Sequence, residues 1–322
     1  MSSTILEVVK ACDNFIQPGQ PTTHPRATEN SYAFRVNGCS ATLGHILRET
    51  VEKIQWSGWW TIDHTERIVT LATAATATAA VRSRIVAETL AATRERSVIS
   101  MLDQWREEPF PVYGPDGNVV LEVERCASAL FGIVTYGVQL VCYVRDEGTS
   151  CLRVWVATRS PQKQTYPGML DCTAAGGLVA GMTPIEALVC EAREEASLSE
   201  DMVRGGVKSM GHLSYFHVRG RSAGGEVGLL QPEVEYTYQL ELDAGVVPTP
   251  RDSEVQGFSL WTVEEVLVAL RAGRFKPNSA VVIVQFLMHH DVITPENEPA
   301  YAEICSHLHR KLDLPVLIQP YQ

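Results

Sequence analysis

No CxxC pair occurs in this chain; its eight cysteines stand apart at 12, 39, 126, 142, 151, 172, 190 and 305. Structural zinc sites draw on closely spaced Cys or His pairs, so the spacing excludes a zinc module. Cys142 and Cys151 fall in strand-like stretches, where free, buried thiols are expected. Such thiols imply a reducing compartment, and a cytoplasmic protein is the expectation. Residues 1–128 contain neither G-x-S-x-G nor a phosphate-binding P-loop, which removes two common nucleophile and nucleotide motifs from that part. Positive charge is in short supply: 27 Lys and Arg stand against 38 Asp and Glu, a formal net charge of −11. That balance argues against nucleic acid or an anionic membrane as the main partner, although a local basic pocket can still hold a phosphate. No apolar run is long and charge-free enough to span a bilayer. The stretch MSSTILEVVKACDNF lacks a basic region followed by a long apolar run, so no secretory signal is expected. There is no internal repeat.

What is present is a chain of 322 residues, 45% hydrophobic, enough for one large or two ordinary domains. The first third alternates short elements: a strand and turn over 32–38, an amphipathic helix over 41–55, and a strand or helix start over 67–73. The Ala/Thr tract 70–80 runs into a packed helix that carries charge on one side. A P-D-G turn within 109–125 predicts a β-hairpin. Residues 129–144 then alternate into one long strand, which pairs with 151–160 across the turn RDEGTS. Strands follow at 207–218 and 234–242, separated by a mobile, Gly-rich loop at 219–228. Helices are expected over 262–270, 279–293 (with Thr294-Pro295 as the stop) and 301–312. This order predicts an α/β fold, a mixed sheet with helices on both faces.

The most informative stretch is GGLVAGMTPIEALVCEAREEASL, residues 176–198. A glycine-rich turn leads into a helix carrying Glu191, Glu194 and Glu195. Positions i, i+3 and i+4 share a helix face, so the three carboxylates project together. Like charges at that spacing destabilise a helix, and a hard cation bound through oxygen cancels the cost. The opposite face, Ile185, Leu188, Val189 and Ala192, is apolar and buries itself. The cluster points to Mg²⁺ or Mn²⁺ and a metal-assisted attack on a diphosphate.

This segment resembles the box of the Nudix hydrolases, G-x5-E-x7-R-E-U-x-E-E-x-G-U. With Gly176 first, Glu191, Glu194, Glu195 and Leu198 fall in register. Met182 replaces the first Glu, Cys190 the Arg, Ala192 the first aliphatic residue and Ser197 the last Gly. Loss of the Glu and Arg together leaves no lone buried charge, and Met182 and Cys190 can form an apolar contact. The resemblance implies a Nudix α/β/α sandwich with a mixed sheet, plus a smaller N-terminal α/β domain. The expected division is 1–128 for the N-terminal domain, 129–293 for the Nudix domain and 294–322 for a helical tail. The flanks, including REEPFPVYG, ERCASALFGIVTYGVQL, RSPQKQTYPGMLD, DSEVQGFSL and RFKPNSAVVIVQFLMHH, resemble the thiamine-diphosphate-directed Nudix branch of plants and fungi, which in some fungi is fused to thiamine pyrophosphokinase. Members of that branch also lack the first Glu and the Arg. The implied reaction removes the terminal phosphate of thiamine diphosphate, or of its oxidised derivatives, giving the monophosphate.

Candidate roles follow. Glu191, Glu194 and Glu195 are the expected metal ligands, and the Gly176 carbonyl suits a hard cation as well. Glu254, in a loop just before a strand, stands beside the box glutamates as a candidate base, with an ordinary turn carboxylate as the alternative. Arg159 and Lys163 could neutralise diphosphate oxygens, with Lys276 a weaker candidate. Trp155, Tyr166, Tyr136 and Phe216 offer aromatic faces but read first as core. His212, His217, His289 and His290 have no clear catalytic partner. Three functions stay open: hydrolysis of thiamine diphosphate, hydrolysis of another diphosphate such as a prenyl diphosphate, and a binding module with a degenerate box. The partner in each case is a small-molecule diphosphate; a homodimer is allowed.

Overall fold

Alternating apolar residues in long, β-rich runs place the weight of this fold on one sheet. The computed structural model describes residues 3–16, 30–146 and 151–320. In chain order the elements are α1 (Ile5–Cys12), β1 (Ser31–Val36), β2 (Gly44–Leu47), α2 (Arg48–Lys53), β3 (Trp60–Asp63), β4 (Ile68–Leu71), α3 (Ala79–Glu95), β5 (Pro109–Tyr113), β6 (Val119–Glu124) and α4 (Ser128–Phe131). They continue as β7 (Thr135–Arg145), β8 (Leu152–Arg159), β9 (Leu170–Asp171), β10 (Ala174–Gly177), α5 (Pro184–Ala196), α6 (Glu200–Gly206), β11 (Lys208–Val218) and β12 (Leu230–Glu241). The last are β13 (Val255–Thr262), α7 (Val263–Arg271), α8 (Pro277–His289) and α9 (Tyr301–Leu308).

The large sheet runs β11-β12-β7-β8-β13, with β10 also on β7 and β9 also on β8. β7 and β12 are parallel; the other pairs are antiparallel. Side chains alternate across a strand, so β7 feeds two cores. Val138, Leu140 and Cys142 join α5 and α6 on one face. Val141 and Tyr143 join α1, α7, α8 and α9 on the other. The result is an α/β/α sandwich. β7 also changes neighbours along its length: Gly137–Leu140 pair with β10, and Tyr143–Arg145 pair with β8. The two partners diverge, and a cleft opens at that split.

A smaller sheet, β2-β1-β4-β3, packs with α3, α4 and the β5–β6 hairpin around a separate core that includes Phe34, Trp60, Leu90 and Phe131. The expected smaller α/β unit is therefore present. Helix α1 does not belong to that core; it packs beneath the large sheet. Asp13, just beyond it, accepts from His307 Nδ1 and Arg310 Nε, both at 2.5 Å, and ties α1 to the segment around α9.

Several local expectations change. Residues 41–55 are not one helix: 44–47 pair with β1, and only 48–53 are helical. Strand pairing overrides the amphipathic pattern there. The long strand begins at Thr135, because Ser128–Phe131 form a helical turn ended by Gly132 in the left-handed region, φ 56°. The tail helix stops at Leu308, where His309 bridges to Ser214 of β11. Helix α8 ends at His289, ahead of the Thr294-Pro295 stop. Cys142 is buried as expected, but Cys151 is exposed. The loop 219–228 is anchored: Arg219 donates to the carbonyls of Ala223 and Gly224, and Glu226 accepts from the Ser100 N–H at 2.6 Å. Residues 147–150 of the RDEGTS turn lie outside the described residues. No helix among the described residues is long and apolar enough to cross a membrane.

Candidate active site

Helix α5 is fixed at its start by a capping box: Thr183 Oγ1 accepts from the Glu186 N–H, and Glu186 accepts from the Thr183 N–H. Pro184 suits the first helical position, where no N–H is needed. Ala187, Leu188, Val189, Ala192 and Ala196 bury one face against β7, which aims Glu191 and Glu195 at β10. Glu195 is 7% exposed, and its Oε2 accepts from the Ala175 N–H at 2.8 Å. The Glu191 carboxylate lies over Gly176, where a Cβ would overlap it. Burial pushes the Glu191 carboxyl up to about 7, the Arg125 charge opposing and the Glu254 and Glu194 charges adding. Burial, and then the Glu191 charge, raise Glu195 well above the ordinary range. Glu194 is turned to the surface, where Arg193 donates to it at 3.3 Å.

Glu191, Glu194 and Gly176 border a cavity of about 360 Å³. Opposite them stand cations. Lys163 pairs with Glu254, and Arg106 lies 3.6 Å from the same carboxylate. Arg125 pairs with Glu108 at 2.6 Å. Burial raises the Glu254 carboxyl, but the Lys163 hydrogen bond and the charges of Lys163, Arg106 and Arg125 outweigh it and hold it below the ordinary value. Phe110 fills the space under Gly177, and the Ala180 N–H donates to the Pro109 carbonyl at 2.9 Å. The smaller unit thus forms one wall of the cavity.

A NUDIX domain model matches residues 135–284, and a model described as a domain of unknown function (DUF4743) matches residues 4–135. The chain carries a Nudix domain. It is 39% identical over 225 residues to the uncharacterized protein YJR142W of Saccharomyces cerevisiae, covering 69% of this chain and 66% of that one. It is 35% identical over 219 residues to Nudix hydrolase 20, chloroplastic, of Arabidopsis thaliana, covering 67% of this chain and 55% of that one. The chain therefore spans less than two thirds of the relatives it matches. Among solved structures, DR0079 from Deinococcus radiodurans aligns with TM-score 0.41 and 20% identity, covering 56% of this chain and 99% of that one.

Within the Nudix domain, Glu191, Glu194, Gly176, Lys163, Glu254, Arg159 and Lys276 all border the one cavity, and Glu195 sits just behind it. Among the described residues no three His, Cys, Asp or Glu side chains are gathered on a common point; Glu194 is exposed at the rim of the cavity, beside Arg193. Arg159 departs from its expected role. Its Nη1 donates to Asp171 at 2.6 Å, its Nε to the Tyr166 carbonyl and its Nη2 to the Thr165 carbonyl. With its fork taken up this way, Arg159 shapes the loop that carries Lys163 and offers little to a phosphate. Lys276 sits at the N-terminal end of α8, and its charge acts on Asp171 and Glu235. Met182 packs against the α5-side core and Cys190 is half-buried. Phe216 stacks on Phe15 and Trp155 is core, whereas Tyr136 and Tyr166 border the cavity. His217 borders it as well, held between the Cys12 carbonyl and the Tyr166 hydroxyl.

Residues that sequence reasoning did not select are Arg106, Arg125, Glu233 and Glu235. The first two lie in REEPFPVYG and ERCASALF, runs that stand out by resemblance alone. The acidic pair carries a physical signal: two Glu at alternate positions of a central strand occupy the same face. The sequence Gly220–Gly224 does match G-x-S-x-G, but it forms a surface turn with Ser222 exposed, not a strand-to-helix elbow.

Proposed function

We propose that this chain hydrolyses an organic diphosphate to its monophosphate and inorganic phosphate, with a hard divalent cation as cofactor. The observation that carries the reading is a half-buried Glu191 and a buried Glu195, two mutually repelling carboxylates, set across one cavity from Lys163, Arg106 and Arg125. An all-oxygen donor set of this kind fits Mg²⁺ or Mn²⁺. Glu191, Glu195, the Gly176 carbonyl and, after a rotamer change, Glu194 would hold the ion. When bound, it supplies Lewis-acid polarisation of a phosphoryl oxygen.

The remaining work falls to the chain itself. Lys163 and Arg106 bind the terminal phosphate by charge-assisted hydrogen bonds. Moving Lys163 onto the substrate frees Glu254 from its ion pair and makes it a better proton acceptor. Water adds to phosphorus, the bridging P–O bond breaks, and the water proton passes to Glu254. The leaving monophosphate keeps the electron pair of that bond. Thiamine diphosphate or its oxidised derivatives are the substrates we favour. Support comes from the flanking runs that resemble the thiamine-diphosphate-directed branch, two of which supply Arg106 and Arg125 to the cavity. Cys12, Cys126, Cys142 and Cys172 are buried free thiols, which suits a reducing compartment such as the cytoplasm. A binding module without turnover is the second reading, favoured by the outward Glu194. Phosphate release with Mg²⁺ decides between them: Glu194→Gln is expected to lower turnover on the order of 10²-fold or more. Unchanged activity in that variant would sink the mechanism.

A further inference from the structure

The same cavity holds a group of polar side chains that the hydrolysis does not use. Strand register sets Tyr215 of β11 opposite Glu233 of β12, and Glu233 opposite Thr135 of β7. The next rows set Glu235 opposite Gly137, and Thr237 opposite Gln139. Positions two apart share a face, so the Glu233 and Glu235 side chains lie side by side. The Tyr215 hydroxyl is 2.6 Å from Glu233 and 3.1 Å from Glu235, and it has one proton to give. Thr135 donates to Glu233 at 3.2 Å and Asn278 to Glu235 Oε1 at 3.1 Å. Two acceptors are then left over. Glu235 Oε2 and Gln139 Oε1 are buried without a hydrogen-bond partner, in residues only 5% and 1% exposed. Both residues border the cavity. Gly137 makes the arrangement possible, since a Cβ there would overlap the Glu235 carboxylate.

Buried acceptors without donors are strongly unfavourable, and a carboxylate more so than an amide. Two of them in one cavity, beside an acidic neighbour and the Tyr166 and Tyr215 rings, suit a ligand that brings donors and positive charge. We propose that Glu235, with Glu233 and Gln139, is the specificity-determining subsite for the organic end of the substrate, and that this end is an amino-bearing or cationic heteroaromatic ring. The inference rests on the diphosphate reading, which supplies the other end of the same molecule. A prenyl chain has neither donor nor charge and leaves both oxygens unmet, so the subsite rejects it.

Calorimetry with thiamine, which carries the ring system and no phosphate, tests the subsite apart from hydrolysis. In metal-free buffer the wild-type chain is expected to bind it, and Glu235→Gln to weaken binding about tenfold or more. Gln139→Leu serves as a second variant, expected to weaken the same ligand, with circular dichroism melts showing that both chains fold. Hydrolysis then reads specificity. The kcat/KM ratio of thiamine diphosphate to geranyl diphosphate is expected to fall about tenfold in Glu235→Gln, through KM. Absence of thiamine binding, equal binding by wild type and both variants, or an unchanged ratio overturns the subsite. So does a Mn²⁺ titration in which the wild type binds one more ion than Glu235→Gln, since the pair would then be a metal site. If no diphosphate is cleaved while thiamine binding still depends on Glu235, the hydrolysis reading fails and the subsite stands.

Discussion

Gly176 has no side chain, and the Glu191 carboxylate lies where one would be. The close fit explains why a glycine opens the box in physical terms: the strand edge must let a carboxylate lie flat against backbone. Gly176→Ala is expected to displace Glu191, lower turnover and cost about 1–3 kcal/mol of stability, read from a urea midpoint and phosphate release. Turnover and stability both at wild-type values would show that the Glu191–Gly176 packing is dispensable. At this scale the sequence was legible where helix periodicity operates, as with Glu191, Glu194 and Glu195 sharing a stretch of helix. It was not legible for Arg159, whose R-x3-K spacing suggested phosphate contact. Only the fold places Asp171 beside it, since the pair is formed across β8 and β9.

The elements around the cavity depend on a few end signals. Thr183 and Glu186 start α5, and Ser197 ends it in the left-handed region at φ 56°, where glycine is usual. The Ser197 hydroxyl donates to the Thr249 carbonyl at 2.8 Å, which offsets part of the strain. Thr183→Ala is expected to cost about 1 kcal/mol, seen as a lower urea midpoint with an unchanged slope. A midpoint equal to wild type would mean the cap does not limit the helix. The β5–β6 hairpin and helices α7 and α8 could be read from local pattern because each is specified by near neighbours. The strand at 44–47 could not, because its pairing with β1 and its contact with Gly132 are tertiary. The split of β7 between β10 and β8, which opens the cleft, is likewise a property of the assembled sheet.

At the scale of the whole molecule, the smaller unit is more than a neighbour of the Nudix domain. It supplies Arg106, Phe110 and Arg125 to the cavity, and the chain returns through α8 with Lys276 and Asn278. The composition hid this arrangement: a chain of net charge −11 still brings Arg106, Arg125 and Lys163 to one cavity. Arg106 lies on the surface side of that cavity, so Arg106→Ala is expected to raise KM about tenfold, roughly 1.4 kcal/mol of binding, with little effect on the melting temperature. An unchanged KM would remove the smaller unit from substrate binding. The reaction proposed for this chain is metal-dependent hydrolysis of a diphosphate that ends in a charged or amino-bearing ring. Its most direct test is Mg²⁺-dependent phosphate release from a panel of thiamine diphosphate, its oxidised analogues, prenyl diphosphates, ADP-ribose and nucleoside diphosphates, with product masses recorded. Selective conversion of the thiamine-type members to monophosphate and phosphate, abolished by chelation, is expected. Preferential cleavage of a prenyl diphosphate, or silence across the panel with metal bound, would contradict it.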